Sequence, residues 1–134
     1  MSDQGRIHWR SLANRSEFHK VYEHGVKKVG RLLVVYLLQA DDIARAVVAS
    51  RKVGGAVQRN RGKRLLREAF RQGTLGTAEG VEGVYARFFP EAGPVKSGRI
   101  ENGGLWIVLV ARRNILAATD REVREELDKL LAQA

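Results

Sequence analysis

The chain has 134 residues, 44% of them hydrophobic, enough for one modest core, so residues 1–134 are expected to form a single domain. It contains no cysteine, which excludes a disulfide framework and thiolate metal ligands. Twenty-four Lys and Arg against fifteen Asp and Glu leave a net charge of +9, which points to a polyanionic partner without naming the polyanion.

The first ten residues mix charges with Trp9 and hold no apolar signal stretch, and the longest apolar run, residues 32–38, is too short to span a bilayer. A cytoplasmic protein that makes no use of a membrane is expected. Asn14, three residues before Glu17, reads as a capping box, and Phe18, Val21 and Tyr22 share one helical face before Gly25, predicting a helix over 15–24. A short strand is expected near 26–29. The β-branched runs 32–38 (LLVVYLL) and 44–50 (ARAVVAS), separated by Asp41 and Asp42, read as an antiparallel hairpin. Gly54 and Gly55 break the chain, and a helical pattern then runs over 56–72 to Gly73.

Residues 73–104 hold eight of the fourteen glycines and both prolines, Pro90 and Pro94, so this insertion is expected to be mostly loop and a surface excursion. Within it, Val81, Val84, Tyr85 and Phe88 fall at i, i+3, i+4, i+7, the spacing of a short amphipathic turn. Residues 105–111 (LWIVLVA) are apolar enough for a central strand. Thr119 with Glu122 repeats the capping-box pattern, and Val123, Leu127, Leu130 and Leu131 then line one face of a closing helix. This order, with no internal repeat, predicts a two-layer α/β (α+β) sandwich.

The charge is concentrated. Residues 51–71 carry Arg51, Lys52, Arg59, Arg61, Lys63, Arg64, Arg67 and Arg71 against one acid, Glu68. On a helix, Gly62, Leu65, Leu66 and Ala69 gather on one side, while Asn60, Lys63, Arg64, Arg67 and Arg71 gather on the other. Ordinary solvated helix faces mix signs, and this one scarcely does. Arginine dominates the stretch, and a planar guanidinium grips phosphate through two donors or stacks on a base.

The run Ala56-Val57-Gln58-Arg59-Asn60-Arg61-Gly62-Lys63-Arg64-Leu65-Leu66-Arg67 resembles the signature of the bacterial ribonuclease P protein family. Residues 16–25 (SEFHKVYEHG) resemble that family's first helix and residues 50–54 (SRKVG) its strand exit. The resemblance implies an αβββαβα order with a mixed four-stranded sheet and a left-handed β-α-β crossover, ribosomal protein S5 domain 2-like. It implies a protein that assists a catalytic RNA in removing the 5′ leader of precursor tRNA, one protein per RNA, with Mg2+ held mainly by the RNA. Arg59, Asn60, Arg61, Lys63, Arg64 and Arg67 are then expected to bind the ribonuclease P RNA. Phe18, Tyr22, Val34, Tyr36, Arg51, Lys52 and Arg112 are expected to bind the leader. By spacing alone Phe18 and Tyr22 read as core packing; the resemblance makes them a stacking platform. Two departures stand out: Gly62 occupies a motif position that is usually aliphatic in the family, and the 73–104 connection is longer than its usual short link.

No catalytic constellation is visible in the protein itself. The acids are scattered, so no carboxylate cluster for a metal nuclease is expected, and His19 and His24 point roughly 140° apart on their helix. Chemistry is therefore expected in the RNA partner. A purely structural RNA-binding protein is the alternative from another class. A DNA-binding regulator is the weakest reading, because no helix-turn-helix partner accompanies 56–72.

Overall fold

The computed structural model describes residues 7–92, 95–96, 99–100 and 103–133. In chain order the elements are β1 (Arg10–Ser11), α1 (Arg15–His24), β2 (Val26–Val29), β3 (Leu33–Ala40), β4 (Ala44–Val48), α2 (Ala56–Gln72), α3 (Ala78–Phe88), β5 (Val95–Lys96), β6 (Arg99–Ile100), β7 (Gly104–Ala111) and α4 (Asp120–Leu131). The expected α-β-β-β-α-β-α succession is present. It is preceded by β1 and interrupted by α3 and a small β5–β6 ribbon.

The main sheet has five strands rather than four, in the order β1-β4-β7-β3-β2. The expected hairpin of 32–38 with 44–50 does not form, because β7 lies between the two strands, antiparallel to β3 and parallel to β4. The physical reason is burial. β7 is the most apolar strand, and Leu105, Ile107, Val108 and Leu109 are all fully buried, so the centre of the sheet is its place. The true hairpin is β2 with β3. α2 lies in the connection between the parallel neighbours β4 and β7, the unit for which the resemblance implies a left-handed crossover.

Strand alternation divides the side chains between two unequal layers. Leu33, Val35 and Leu37 of β3 and Ile107 and Leu109 of β7 face α2 and α4 and lose all contact with solvent. Val34, Tyr36 and Leu38, with Trp106 and Val110, face the α1 side and stay half-buried. One ten-residue helix is too small to cover that face. The result is a packed layer below and an open floor above.

Residues 73–92 of the insertion are not a surface excursion: the amphipathic turn expected at Val81, Val84, Tyr85 and Phe88 forms as α3, while residues 93–94, 97–98 and 101–102 lie outside the described residues. Thr77 caps α3 by accepting a hydrogen bond from the Gly80 amide at 3.1 Å, and Leu75, Val81, Val84 and Tyr85 are fully buried in the main core. Each such side chain contributes on the order of 1.5–3 kcal/mol by leaving water, which outweighs the helix-weakening glycines of α3. The Tyr85 hydroxyl accepts from Gln39 Nε2 at 3.2 Å, and Arg87 donates to the Leu131 carbonyl at 2.8 Å, fixing the helix to β3 and α4.

Two carboxylates of α4 hold distant backbone. Glu126 accepts from the amides of Arg31, Leu32 and Leu33 at 3.1, 2.7 and 3.1 Å, closing the β2–β3 turn, and Asp128 accepts from the Thr74 amide at 2.9 Å. The expected capping box at Thr119 and Glu122 is formed in full. At α1 the Asn14 half is formed, but Glu17 reaches back to the Ala13 amide at 3.2 Å and pairs with Arg10 at 3.0 Å.

Candidate nucleic-acid interface

β4 hands the chain to α2 through a tight turn in which Val53 is buried and Gly54 has φ +149°, a region that favours glycine. Gly62, Leu65, Leu66, Ala69 and Phe70 then face the core. That leaves Asn60, Arg61, Arg64 and Arg67 exposed on the opposite side, with Lys63 half-buried. Arg59 is also half-buried, and its guanidinium donates to the Gly54 carbonyl at 3.2 Å, so it braces the turn as well as carrying charge. Among the described residues the one ion pair of this helix is Arg71 with Glu68, at 2.8 Å. Arg71 and Gln72 both bond Glu68, and Arg71 first among them holds its carboxyl below the usual range.

A Cβ on Gly62 would meet Ala111 Cβ and Ile115 Cγ2 at 3.5 Å and Val53 Cγ1 at 3.9 Å, ordinary contact distances. An alanine therefore fits there, and the glycine lies on the packing side, away from the cations.

The second surface is the open face of the sheet. Phe18 and Tyr22, one helical turn apart on α1, have ring centroids 6.2 Å apart, and Tyr22 meets Tyr36 of β3 edge-on at 4.9 Å. Tyr22 is 41% exposed, while Phe18 is half-buried against the small cluster around Leu12 and Val21. Burial, and then its neighbour Tyr36, push the Tyr22 hydroxyl above its ordinary pKa. Val34 lies two residues from Tyr36 on the same face, in lateral register with Val110 and, through it, with Val48.

Topology places Arg51, Lys52 and Arg112 at one end of the sheet. They follow the ends of β4 and β7, at the same end of the sheet where β3 begins, and all three are exposed. Arg112 also has a structural part, donating to the Gly30 carbonyl at 2.9 Å and so joining Glu126 in holding the β2–β3 turn. Thus Tyr22 stands between Phe18 and Tyr36, Val34 extends their floor, and the three cations follow the strand ends at one end of the sheet.

Sequence reasoning missed Lys27, whose ammonium lies 5.8 Å from the centre of the Tyr36 ring. Its signal is the β2–β3 register, which places Lys27 opposite Tyr36. It also missed the staple at the β1 end, where Asp42 accepts from Arg10 Nε and from Trp106 Nε1, both at 2.7 Å. Asp42 is thereby engaged in anchoring β1, and Arg10 foremost holds its carboxyl below the usual range. His19 is exposed and pairs with Glu23 at 2.8 Å. Among the described residues no three His, Asp or Glu side chains gather as a metal-binding group, and no helix is long and apolar enough to cross a membrane.

A family model described as Ribonuclease P matches residues 8–134. The ribonuclease P protein component of Dehalococcoides mccartyi strain CBDB1 is 34% identical over 122 residues, 87% of this chain and 95% of that protein. That of Clostridioides difficile strain 630 is 42% identical over 64 residues, covering 46% of this chain and 56% of its relative. Among solved structures, the RNase P protein from Thermotoga maritima superposes with a TM-score of 0.61 at 25% identity, over 91% of this chain and 94% of the other. The Staphylococcus aureus RNase P protein gives the same TM-score at 20% identity and supports the fold.

Proposed function

The chain belongs to the ribonuclease P protein family, and from that premise we propose that it is the protein subunit of a ribonuclease P ribonucleoprotein that removes the 5′ leader of precursor tRNA. The observation that carries this reading is the exposed, largely acid-free face of α2, where Asn60 lies among Arg61, Arg64 and Arg67, which have no ion-pair partner among the described residues. With Arg59 and Lys63 they bind the ribonuclease P RNA. Guanidinium groups that need not break an internal pair lose less on docking against phosphate, and the counterions they release add to the affinity.

The aromatic floor binds the leader. An unpaired strand offers π faces for Phe18, Tyr22 and Tyr36 to stack on, while Arg51, Lys52, Arg112 and Lys27 take its phosphates. Val34 supplies flat apolar contact. The protein orients substrate and brings positive charge to two polyanions that would otherwise repel. Hydrolysis itself belongs to the RNA subunit with its Mg2+. One protein per RNA, a cytoplasmic location and a chain that works as one domain complete the proposal.

Reconstitution tests it. The protein alone should leave precursor tRNA intact, and adding it to a bacterial ribonuclease P RNA should raise cleavage at low magnesium. Cleavage by the purified protein without RNA, or no stimulation of the RNA, would refute the reading. A purely structural RNA-binding protein would bind the RNA yet be indifferent to the leader.

A further inference from the structure

Arg45 belongs to neither surface, yet it lies between them. It projects from β4 on the helical side of the sheet, with its guanidinium carbon 4.6 Å from the centre of the Phe70 ring. The side chain is half-buried and, among the described residues, makes no hydrogen bond or ion pair. A half-buried cation without an acid is unfavourable for the isolated protein, and desolvation together with Arg67 pulls its pKa below the ordinary value. Such an arrangement suits an anion that arrives from outside.

Two clefts open on either side of it. One, of about 260 Å³, has Phe18 and Arg67 in its walls, and the other, of about 380 Å³, has Trp9, Phe70 and Arg71. Arg45 lines both. Phe18 comes from the aromatic floor and Arg67 from the α2 face, so the first cleft joins the two surfaces around the β4 edge. Trp9, edge-on to Phe70 at 4.9 Å, walls the second. Arg71 is already paired with Glu68, and among the described residues Arg45 and Arg67 are the arginines of the two clefts without an ion-pair partner.

We propose that Arg45, together with Arg67, binds a backbone phosphate of an RNA strand where that strand crosses the β4 edge, with the neighbouring nucleotide lying in the cleft beside Trp9. The site would make one continuous track of the two surfaces. The inference rests on reading α2 as an RNA-binding helix. The phosphate belongs either to the ribonuclease P RNA or to the precursor leader.

The test uses Arg45→Met, which keeps the stem against Phe70 and removes the charge. Its affinity for ribonuclease P RNA should fall about tenfold at moderate salt, with the salt slope reduced by about one, as expected for one lost phosphate contact. Thermal stability should stay level or rise, an outcome that a structural role for Arg45 does not produce. If RNA affinity is normal but the holoenzyme binds leader-bearing precursor about tenfold more weakly than wild type, the phosphate is the leader's. Normal affinity in both assays overturns the proposal. The Arg59→Ala/Arg61→Ala/Arg64→Ala variant is measured beside it: if that triple also binds normally, the reading of α2 itself has failed. On the unaltered protein, bound RNA or precursor should shield Arg45 from phenylglyoxal, and equal modification with and without them overturns the proposal independently of any folding defect.

Discussion

The cationic face of α2 and the aromatic floor beside α1 are built in opposite ways. On α2 the functional side chains take almost no part in the fold: Gly62, Leu65, Leu66, Ala69 and Phe70 hold the helix, and the exposed cations are carried on its far side. On the floor, function and packing share the same atoms, since Phe18 touches the small core and Arg112 ties down the β2–β3 turn. A helix separates its duties by angle, whereas a strand face left half-covered must use one side chain for both. The α2 surface should therefore tolerate change in its binding residues without loss of stability, and the floor should not.

The largest effect is expected from Arg59, Arg61 and Arg64 replaced together by alanine. Affinity for the ribonuclease P RNA should drop steeply, and the slope of log affinity against log salt should shrink by about two to three, read by filter binding across a salt series. Circular dichroism should report a folded protein, with a small loss traceable to the Arg59 bond to the Gly54 carbonyl. An unfolded triple would erase the contrast between the two surfaces.

Next come the aromatics. Tyr22→Ala should cost on the order of 1 to 3 kcal/mol of substrate affinity for a lost stack, and only on precursors whose leader spans several nucleotides. Phe18→Ala should show a similar leader-dependent loss and in addition a lower melting temperature, because Phe18 is half-buried where Tyr22 is 41% exposed. Equal impairment of both variants on minimal leaders would return the pair to a packing role.

The smallest effect sharpens the contrast from the other side. Gly62→Ala places a methyl at van der Waals distance from Ala111 and Ile115, so it should stabilise α2 by up to about 1 kcal/mol without changing RNA affinity, as thermal melts and binding isotherms would show. A loss of stability would mean that α2 cannot spare the glycine at its crossing with β7.

Local signals carried far in this sequence. The bounds of α1 and α2, the Thr119 capping box and the division of α2 into packing and cationic sides all follow from spacing and end residues, because a helix is made of contacts three and four residues apart. The resemblance to the ribonuclease P family rests on such local segments, the R-N-R helix with residues 16–25 and 50–54, and implies the two surfaces without any view of their contacts. In the glycine-rich segment the i, i+3, i+4, i+7 spacing of Val81, Val84, Tyr85 and Phe88 announces α3, but not its burial: glycine and proline report local backbone freedom, while Leu75, Val81, Val84 and Tyr85 pack into the main core. The β3–β4 hairpin failed likewise, since adjacency along the chain says nothing of a more apolar strand arriving sixty residues later.

What the sequence determined by itself is therefore the chemistry: a basic helix, an aromatic pair one turn apart, and no recognisable catalytic or metal motif. Only the tertiary structure decided which side chains meet. The β2–β3 register sets Lys27 against Tyr36, and the packing of α2 on β4 brings Arg45 beside Phe70 and Arg67. Those meetings depend on strand order and on which apolar faces find each other, and these are properties of the whole chain's burial that no window of sequence contains.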